Sequence, residues 1–303
     1  MAVRAAGLDV VALRAAGVGD LLTAVPALRA VATLGHDGVT LAAPSWLHPL
    51  APLIPGVTGA VDVDGLTPKV SLSGRVAINL HGQGPQSHTG LLERGPRDLV
   101  AFYCPSVWEF GPPWFTDDVD EPERERFCRL LEWVGVTADP LAIGLRIPGV
   151  EAPVTDAVVL HVGGTDPRRR WPAEKFAELA RGLLGEPLVV TGGPGDLVTA
   201  LRVARMAGLD PSVVLAGRLA LDEFAAVIAH ARLVVTGDTG AAHLAHAYSR
   251  PSVVIFGPAS PGQWGPPPGV PSTVLRAAGP SPSAADVAVA EVRDAVRVRL
   301  GGS

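Results

Sequence analysis

Lysine is almost missing from this chain. Of 25 basic residues among 303, only Lys69 and Lys175 are lysine. A phosphate clamp here is therefore expected to be built from arginine, whose planar fork binds oxyanions in pairs of bonds. Cysteine is as scarce. Cys104 and Cys128 alone exclude a disulfide framework and a cysteine metal site. The longest apolar runs are about five or six residues, far short of the ~20 that span a bilayer. The first seven residues lack the apolar core of a signal peptide, so a cytoplasmic protein is expected, with peripheral contact at the inner face of the plasma membrane left open. Positive charge is not in excess: the net charge of −5 argues against a nucleic-acid surface. No histidine pair has zinc spacing with a third ligand, and the carboxylate pairs Asp62/Asp64 and Asp117/Asp118 lack a nearby histidine. No metal is expected. A G-x-S-x-G nucleophile elbow is absent as well.

The chain does hold hydrophobic residue in plenty, 48%, arranged as short apolar runs alternating with amphipathic ones. Strands are expected at 9–13, 39–42, 59–63 and 75–80 in the first half. In the second they fall at 158–160, 188–190, 213–215, 233–235 and 253–255. A helix starting at Asp20 carries Leu21, Leu22, Val25, Leu28 and Val31 on one face, with Pro26 kinking its second turn. Residues 84–126 read as irregular, followed by a helix over 123–134. The last helix is expected over 285–300. Such alternation implies parallel sheets covered on both faces. The proline-rich stretch 140–153 marks a boundary, dividing the chain into residues 1–150 and 151–303. The fold class is α/β, two Rossmann-like doubly wound domains whose strand ends face a cleft.

Three turns at strand ends carry chemistry. Thr236-Gly237-Asp238-Thr239-Gly240 leaves one strand and opens a helix that includes His243. Free N–H groups and the helix dipole make such a start an anion site; an ordinary βα turn is the plain alternative. Residues 161–172 leave another strand and hold Thr165, Arg168, Arg169 and Arg170 before Trp171-Pro172. They form either a phosphate clamp or a solvated arginine loop. Thr191-Gly192-Gly193-Pro194-Gly195-Asp196 lets a ligand approach the backbone, and Asp196 either accepts from a ribose hydroxyl or caps the turn. In the first half, Gly17-Val18-Gly19-Asp20 follows the first strand. Leu22 stands where a dinucleotide fingerprint needs glycine, so no nicotinamide or flavin is expected. Asp20 is either a helix-start carboxylate or a general base.

Taken together, these segments resemble glycosyltransferase family 9, the ADP-heptose:lipopolysaccharide heptosyltransferases. The resemblance rests on Gly19-Asp20 with Pro26, Arg168-Arg169-Arg170-Trp171-Pro172, residues 192–196 and Leu215-Ala216-Gly217-Arg218. It continues through Gly237-Asp238-Thr239-Gly240 with His243, Phe256-Gly257-Pro258 and Trp264-Gly265-Pro266. It implies a GT-B-like fold and an inverting, metal-independent sugar transfer without a cofactor. The C-terminal domain would hold an ADP-linked nucleotide-sugar donor, and the N-terminal domain a glycan or glycolipid acceptor. By that resemblance Asp20 is the base and Arg169 the catalytic cation, in place of the usual lysine. Thr165, Arg168, Arg170, Gly193, Asp196, Asp238, Thr239, Gly240 and His243 bind the donor, while Gly19, Asn79 and His81 lie on the acceptor side. Asn79 and Asp196 stand where the family often has aspartate and glutamate. The last helix is expected to pack back on the N-terminal domain. Rival readings are another GT-B activity on nucleotide sugars, an epimerase or hydrolase, and a non-catalytic nucleotide-sugar-binding protein.

Overall fold

The computed structural model describes residues 8–33 and 35–301. The chain forms two compact units, Met1–Arg146 and Ile147–Ser303. The first unit comprises β1 (Leu8–Leu13), α1 (Val18–Thr23), α2 (Val25–Val31), β2 (Gly35–Ala42), β3 (Val57–Val61), β4 (Val63–Asp64), β5 (Thr67–Pro68), β6 (Val76–Asn79), α3 (Gln86–Leu92), β7 (Asp98–Val100) and α4 (Glu123–Trp133). Five strands make a parallel sheet in the order β3-β2-β1-β6-β7, while β4 and β5 form a small antiparallel hairpin. Helices cover both faces of the central strands, so β1 and β6 are buried along most of their lengths and read as unbroken apolar runs.

The second unit contains β8 (Val158–His161), α5 (Ala173–Arg181), β9 (Leu188–Thr191), α6 (Leu197–Ala207), α7 (Leu221–Ala229), β10 (Leu233–Gly237), α8 (Gly240–Ala247), β11 (Ser252–Phe256), α9 (Pro261–Trp264), β12 (Ser272–Arg276) and α10 (Val289–Arg299). Its parallel sheet runs β12-β11-β10-β8-β9. Val158, Leu160, Val190, Val235 and Ile255 of the strands meet Phe176, Leu179 and Val203 of the helices in one core. Each unit is thus a Rossmann-like doubly wound domain. In each, the chain lays strands to one side of its first strand and then crosses to the other. The reversal falls between β1 and β6 in the first unit and between β8 and β10 in the second. Crossover connections leave in opposite directions at such a point and open a crevice at the strands' carboxyl ends.

Several expectations are corrected. The helix expected from Asp20 begins at Val18 and breaks at Ala24, because Pro26 has no N–H to give and opens a second helix, α2, instead. Residues 213–215 are not a strand. Asp210 caps a 3₁₀ turn over Pro211–Val213, and Val214 is left with a single bridge to Val190. The stretch 84–126, read as irregular, holds α3 and β7. The proline-rich loop after residue 265 hides β12, an edge strand whose partly exposed residues carry no strong apolar signal. Within the second unit the last helix packs on α5, β11 and β12, and its Val292, Ala295 and Val296 join the second core. No helix among the described residues is long and apolar enough to cross a membrane.

Candidate active site

At the reversal point of the first unit, β1 ends and Arg14 follows it. The guanidinium is almost wholly buried, with Arg14 at 3% exposure. It donates four bonds: Nε to the backbone oxygen of Asp20 (2.7 Å), one terminal nitrogen to Leu80 O (2.9 Å) and His81 O (3.0 Å), and the other to Asp20 Oδ1 (3.2 Å). Phe127 of α4 lies under it, 4.7 Å from the guanidinium carbon to the ring centre. Burial lowers the Arg14 pKa, and the nearby carboxylates of Asp20 and Glu123 oppose that effect. Asp20 occupies the third position of α1, where its Oδ2 accepts from Gly17 N at 3.2 Å. The helix-start role is therefore real. About 39% of the side chain is exposed, so the carboxylate also remains open to a ligand. Gly19 lies in the first turn of the same helix.

β6 ends at Asn79, which is fully buried. Its amide nitrogen donates to Ser87 Oγ (2.9 Å) and His88 Nδ1 (3.1 Å), and its oxygen accepts from His81 N (3.0 Å). Asn79 thus holds the turn that presents His81 and does not itself face outward. His88 Nε2 donates to Phe102 O at 2.8 Å, which settles its tautomer. Burial lowers the His88 pKa and keeps the ring neutral.

The second unit's reversal point gathers the turn after β8 and the turn after β10. Asp166 caps a 3₁₀ turn over Pro167–Arg169, accepting from Arg168 N at 2.9 Å. Arg168 is exposed and bonded to the same carboxylate (2.9 Å). Arg170 Nε donates to Gly164 O at 2.6 Å. Thr165 is exposed on the loop. Of the three arginines, only Arg169 turns toward β10: its guanidinium lies 3.4 Å from Asp238 Oδ2, a carboxylate whose side chain is 3% exposed. The loop can seat there because two glycines let its backbone touch the sheet. A Cβ on Gly237 would stand 2.6 Å from Arg169 O, and one on Gly257 would overlap Arg168 O. At its far end Trp171 Nε1 donates to Val287 O (3.0 Å), and Lys175 Nζ to Ala285 O (2.6 Å) and Val287 O (2.9 Å). Trp171 is thus a buried anchor.

Thr239 is the N-cap of α8, accepting from Ala241 N at 3.3 Å and sharing a hydrogen bond with Thr236 Oγ1 (2.9 Å). Gly240 opens the helix; Ala242 N and His243 N donate to Thr239 O (3.0 and 3.5 Å), so the positive end of the helix dipole lies at the strand end with its first turn capped by Thr239. His243, half-buried one turn on, lies against His246 and Trp264, ring centres 6.1 and 6.3 Å apart. Across β8, Asp196 Oδ2 accepts from Gly193 N at 2.9 Å, so the carboxylate closes the Gly-rich turn as a cap.

Residues that the sequence reading left aside also belong to these two places. His161 ends β8, bonds Thr191 Oγ1 at 3.1 Å and is held down to about 4 by desolvation. Glu123 opens α4 and faces Arg14; burial raises its pKa, Asp20 adds to that, and Arg126 and Arg14 oppose it. Arg14 had a visible signal, a charged residue at the end of an apolar strand. Glu123 had none, being brought to Asp20 only by the fold. Among the described residues, no group of three or more His, Cys, Asp or Glu side chains is placed to hold a metal ion.

The family profile of glycosyltransferase family 9 (heptosyltransferase) matches residues 150–286, which lie within the second unit. Lipopolysaccharide heptosyltransferase 1 of Salmonella typhimurium is 38% identical over 113 residues, 36% of this chain and 34% of the relative. The matching segment thus spans about a third of that relative's length. The fold likeness covers far more. A glycosyl transferase family 9 structure from Veillonella parvula superposes with a TM-score of 0.78 at 21% identity, over 99% of both chains. The E. coli heptosyltransferase WaaC solved with ADP gives 0.73 at 18% identity, over 96% of this chain and all of the other. The fold is therefore that of these GT-B enzymes in both units, while sequence likeness concentrates in the second.

Proposed function

We propose that the chain is an inverting glycosyltransferase that moves a heptose from an ADP-linked donor to a hydroxyl of a glycolipid such as lipopolysaccharide, without a metal. One observation carries the reading: at the reversal point of the second unit, Arg169 and the N-terminus of α8, with its Gly240 N–H and helix dipole, converge on one strand end. That is a site for a diphosphate. Fixed N–H dipoles and a guanidinium stabilise charge that grows on the leaving phosphates. They do the work that a divalent cation does elsewhere. Asp238, buried beside Arg169, holds the guanidinium in place. Thr165, Gly193 and His243 lie on neighbouring turns and would contact the nucleotide or the sugar. Asp196 keeps acceptor capacity for a ribose hydroxyl, since the bond from Gly193 N uses only one of its lone pairs.

Asp20 is the proposed base. Its carboxylate is fixed by Arg14 and Gly17 and remains partly exposed, as proton removal from an acceptor requires. The acceptor hydroxyl attacks the anomeric carbon from the face opposite the diphosphate, the bond to the diphosphate breaks, and the proton passes to Asp20. Catalysis is expected on the cytoplasmic side, where nucleotide sugars are made. Release of ADP from ADP-heptose is the test. Release that depends on heptose-deficient lipopolysaccharide and survives excess chelator supports the reading. Release without acceptor indicates a hydrolase, and binding without release a non-catalytic sugar-nucleotide protein. Loss with chelator and recovery with magnesium or manganese refutes the metal-free mechanism.

A further inference from the structure

The groups around Arg14 have one part that the base alone does not explain. His81 follows β6, half-buried, beside Asp20. Its Nδ1 takes a hydrogen bond from Ala15 N at 3.3 Å. An amide N–H can only donate, so Nδ1 carries no proton and Nε2 does. Burial and the adjacent Arg14 charge favour the same neutral form, against a smaller opposing pull from Asp20. The backbone that carries the ring is fixed. Its backbone N–H is bound to Asn79 Oδ1, its backbone oxygen to Arg14, and Asn79 is locked in turn by Ser87 and His88. Every polar group in that chain has its partner, ending at Phe102 O. The exception is His81 Nε2, which faces away from the Ala15 amide and meets no partner among the described residues.

Resting on the reading of Asp20 as base, we infer that His81 is a second catalytic residue. Its Nε2–H donates to the oxygen of the acceptor hydroxyl while Asp20 accepts that hydroxyl's proton. Arg14 ties the two together, bonding the Asp20 carboxylate and the His81 carbonyl with one guanidinium. A hydroxyl has one proton to give and two lone pairs. One lone pair takes the His81 bond, the proton goes to Asp20, and the other lone pair forms the bond to the anomeric carbon. The electrons of the broken bond leave with the nucleoside diphosphate. A neutral imidazole suits this place, because it orients the oxygen without holding its attacking lone pair as tightly as an imidazolium would, and because an imidazolium would set Nδ1–H against the Ala15 N–H.

Two measurements test it. Imidazole ¹⁵N spectra of the protein labelled at histidine, with His81→Gln for assignment, should place His81 as the Nε2–H tautomer at neutral pH. An Nδ1–H tautomer or an imidazolium overturns the inference whether or not the protein is a transferase. Kinetics with ADP-heptose and heptose-deficient lipopolysaccharide form the second arm. His81→Phe should lower turnover by ~10- to 100-fold with ADP affinity unchanged. His81→Gln, which keeps an N–H at similar reach, should recover to within about threefold of wild type. Equal loss in both variants assigns His81 a structural role only, and wild-type turnover in His81→Phe removes it from the reaction. If the wild type itself transfers no sugar while the tautomer is as expected, the functional reading fails and takes the hydroxyl role with it.

Discussion

Replacing Gly237 by alanine tests the donor site through the backbone rather than through any charged group. The added Cβ would stand 2.6 Å from Arg169 O. Carbon and carbonyl oxygen normally approach to no less than ~3.3 Å, so the 3₁₀ turn over 167–169 must retreat by ~0.7 Å. It has little room to do so, since Trp171 and Lys175 pin its far end to residues 285–287. Overpacking of this kind costs ~1–3 kcal/mol. For a domain of ~150–250 residues that lowers Tm by about 2–12 °C. The retreat also draws Arg169 from Asp238, a pair already 3.4 Å apart. Displacement approaching 1 Å at a catalytic group costs up to ~100-fold in rate, so turnover should fall severalfold or more, with a smaller loss of ADP affinity. Gly195→Ala is the matched control: it lies in the neighbouring Gly-rich turn with nothing within 4 Å of the new methyl, and should stay within ~0.5 kcal/mol of wild type. Differential scanning calorimetry gives the stability and isothermal titration with ADP the affinity. Wild-type values of both for Gly237→Ala would refute the claim that the glycine seats the arginine loop.

Asp20→Asn keeps an oxygen for Gly17 N but cannot take a proton; turnover should fall ~100-fold or more with ADP binding unchanged, and near-normal turnover would exclude Asp20 as base. Arg169→Ala should lower turnover about tenfold or more, with a smaller loss of ADP affinity, because the charge it meets grows during the reaction. Arg169→Lys should recover part of that loss; steady-state kinetics with ADP titration separates the two effects. Stability should fall in acid through His161. Its pKa is held at about 4 in the folded chain against 6.5 unfolded, so the unfolded chain binds the proton first. The contribution is complete above pH ~6.5 and is lost as pH falls toward 4, about 3 kcal/mol in all. Urea unfolding of wild type and His161→Gln across that range should show a steeper slope in the wild type, the remainder coming from His81 and His88, which burial also holds neutral.

The sequence by itself determined the fold class and the strand ends that carry the candidate site residues. Apolar runs too short for a membrane, alternating with amphipathic segments, leave parallel sheets covered by helices as the way to bury them. Asp20, Arg169 and Asp238 to Gly240 could be picked out as candidates because each lies in the segment that leads from a strand to the next helix, and local order places such segments on one edge of a parallel sheet. Tertiary structure decided which of the three arginines turns inward. Asp166 and Gly164 O hold Arg168 and Arg170, and only Arg169 meets a buried carboxylate. It decided that Asn79 supports His81 rather than facing out, through Ser87 and His88 on a helix inside a stretch read as irregular. It also brought Glu123 to Arg14 across more than 100 residues of chain. Local pattern records the period of burial, which short-range forces set. Which polar groups meet depends on the order in which strands assemble, and strand order is a long-range outcome that no window of sequence contains.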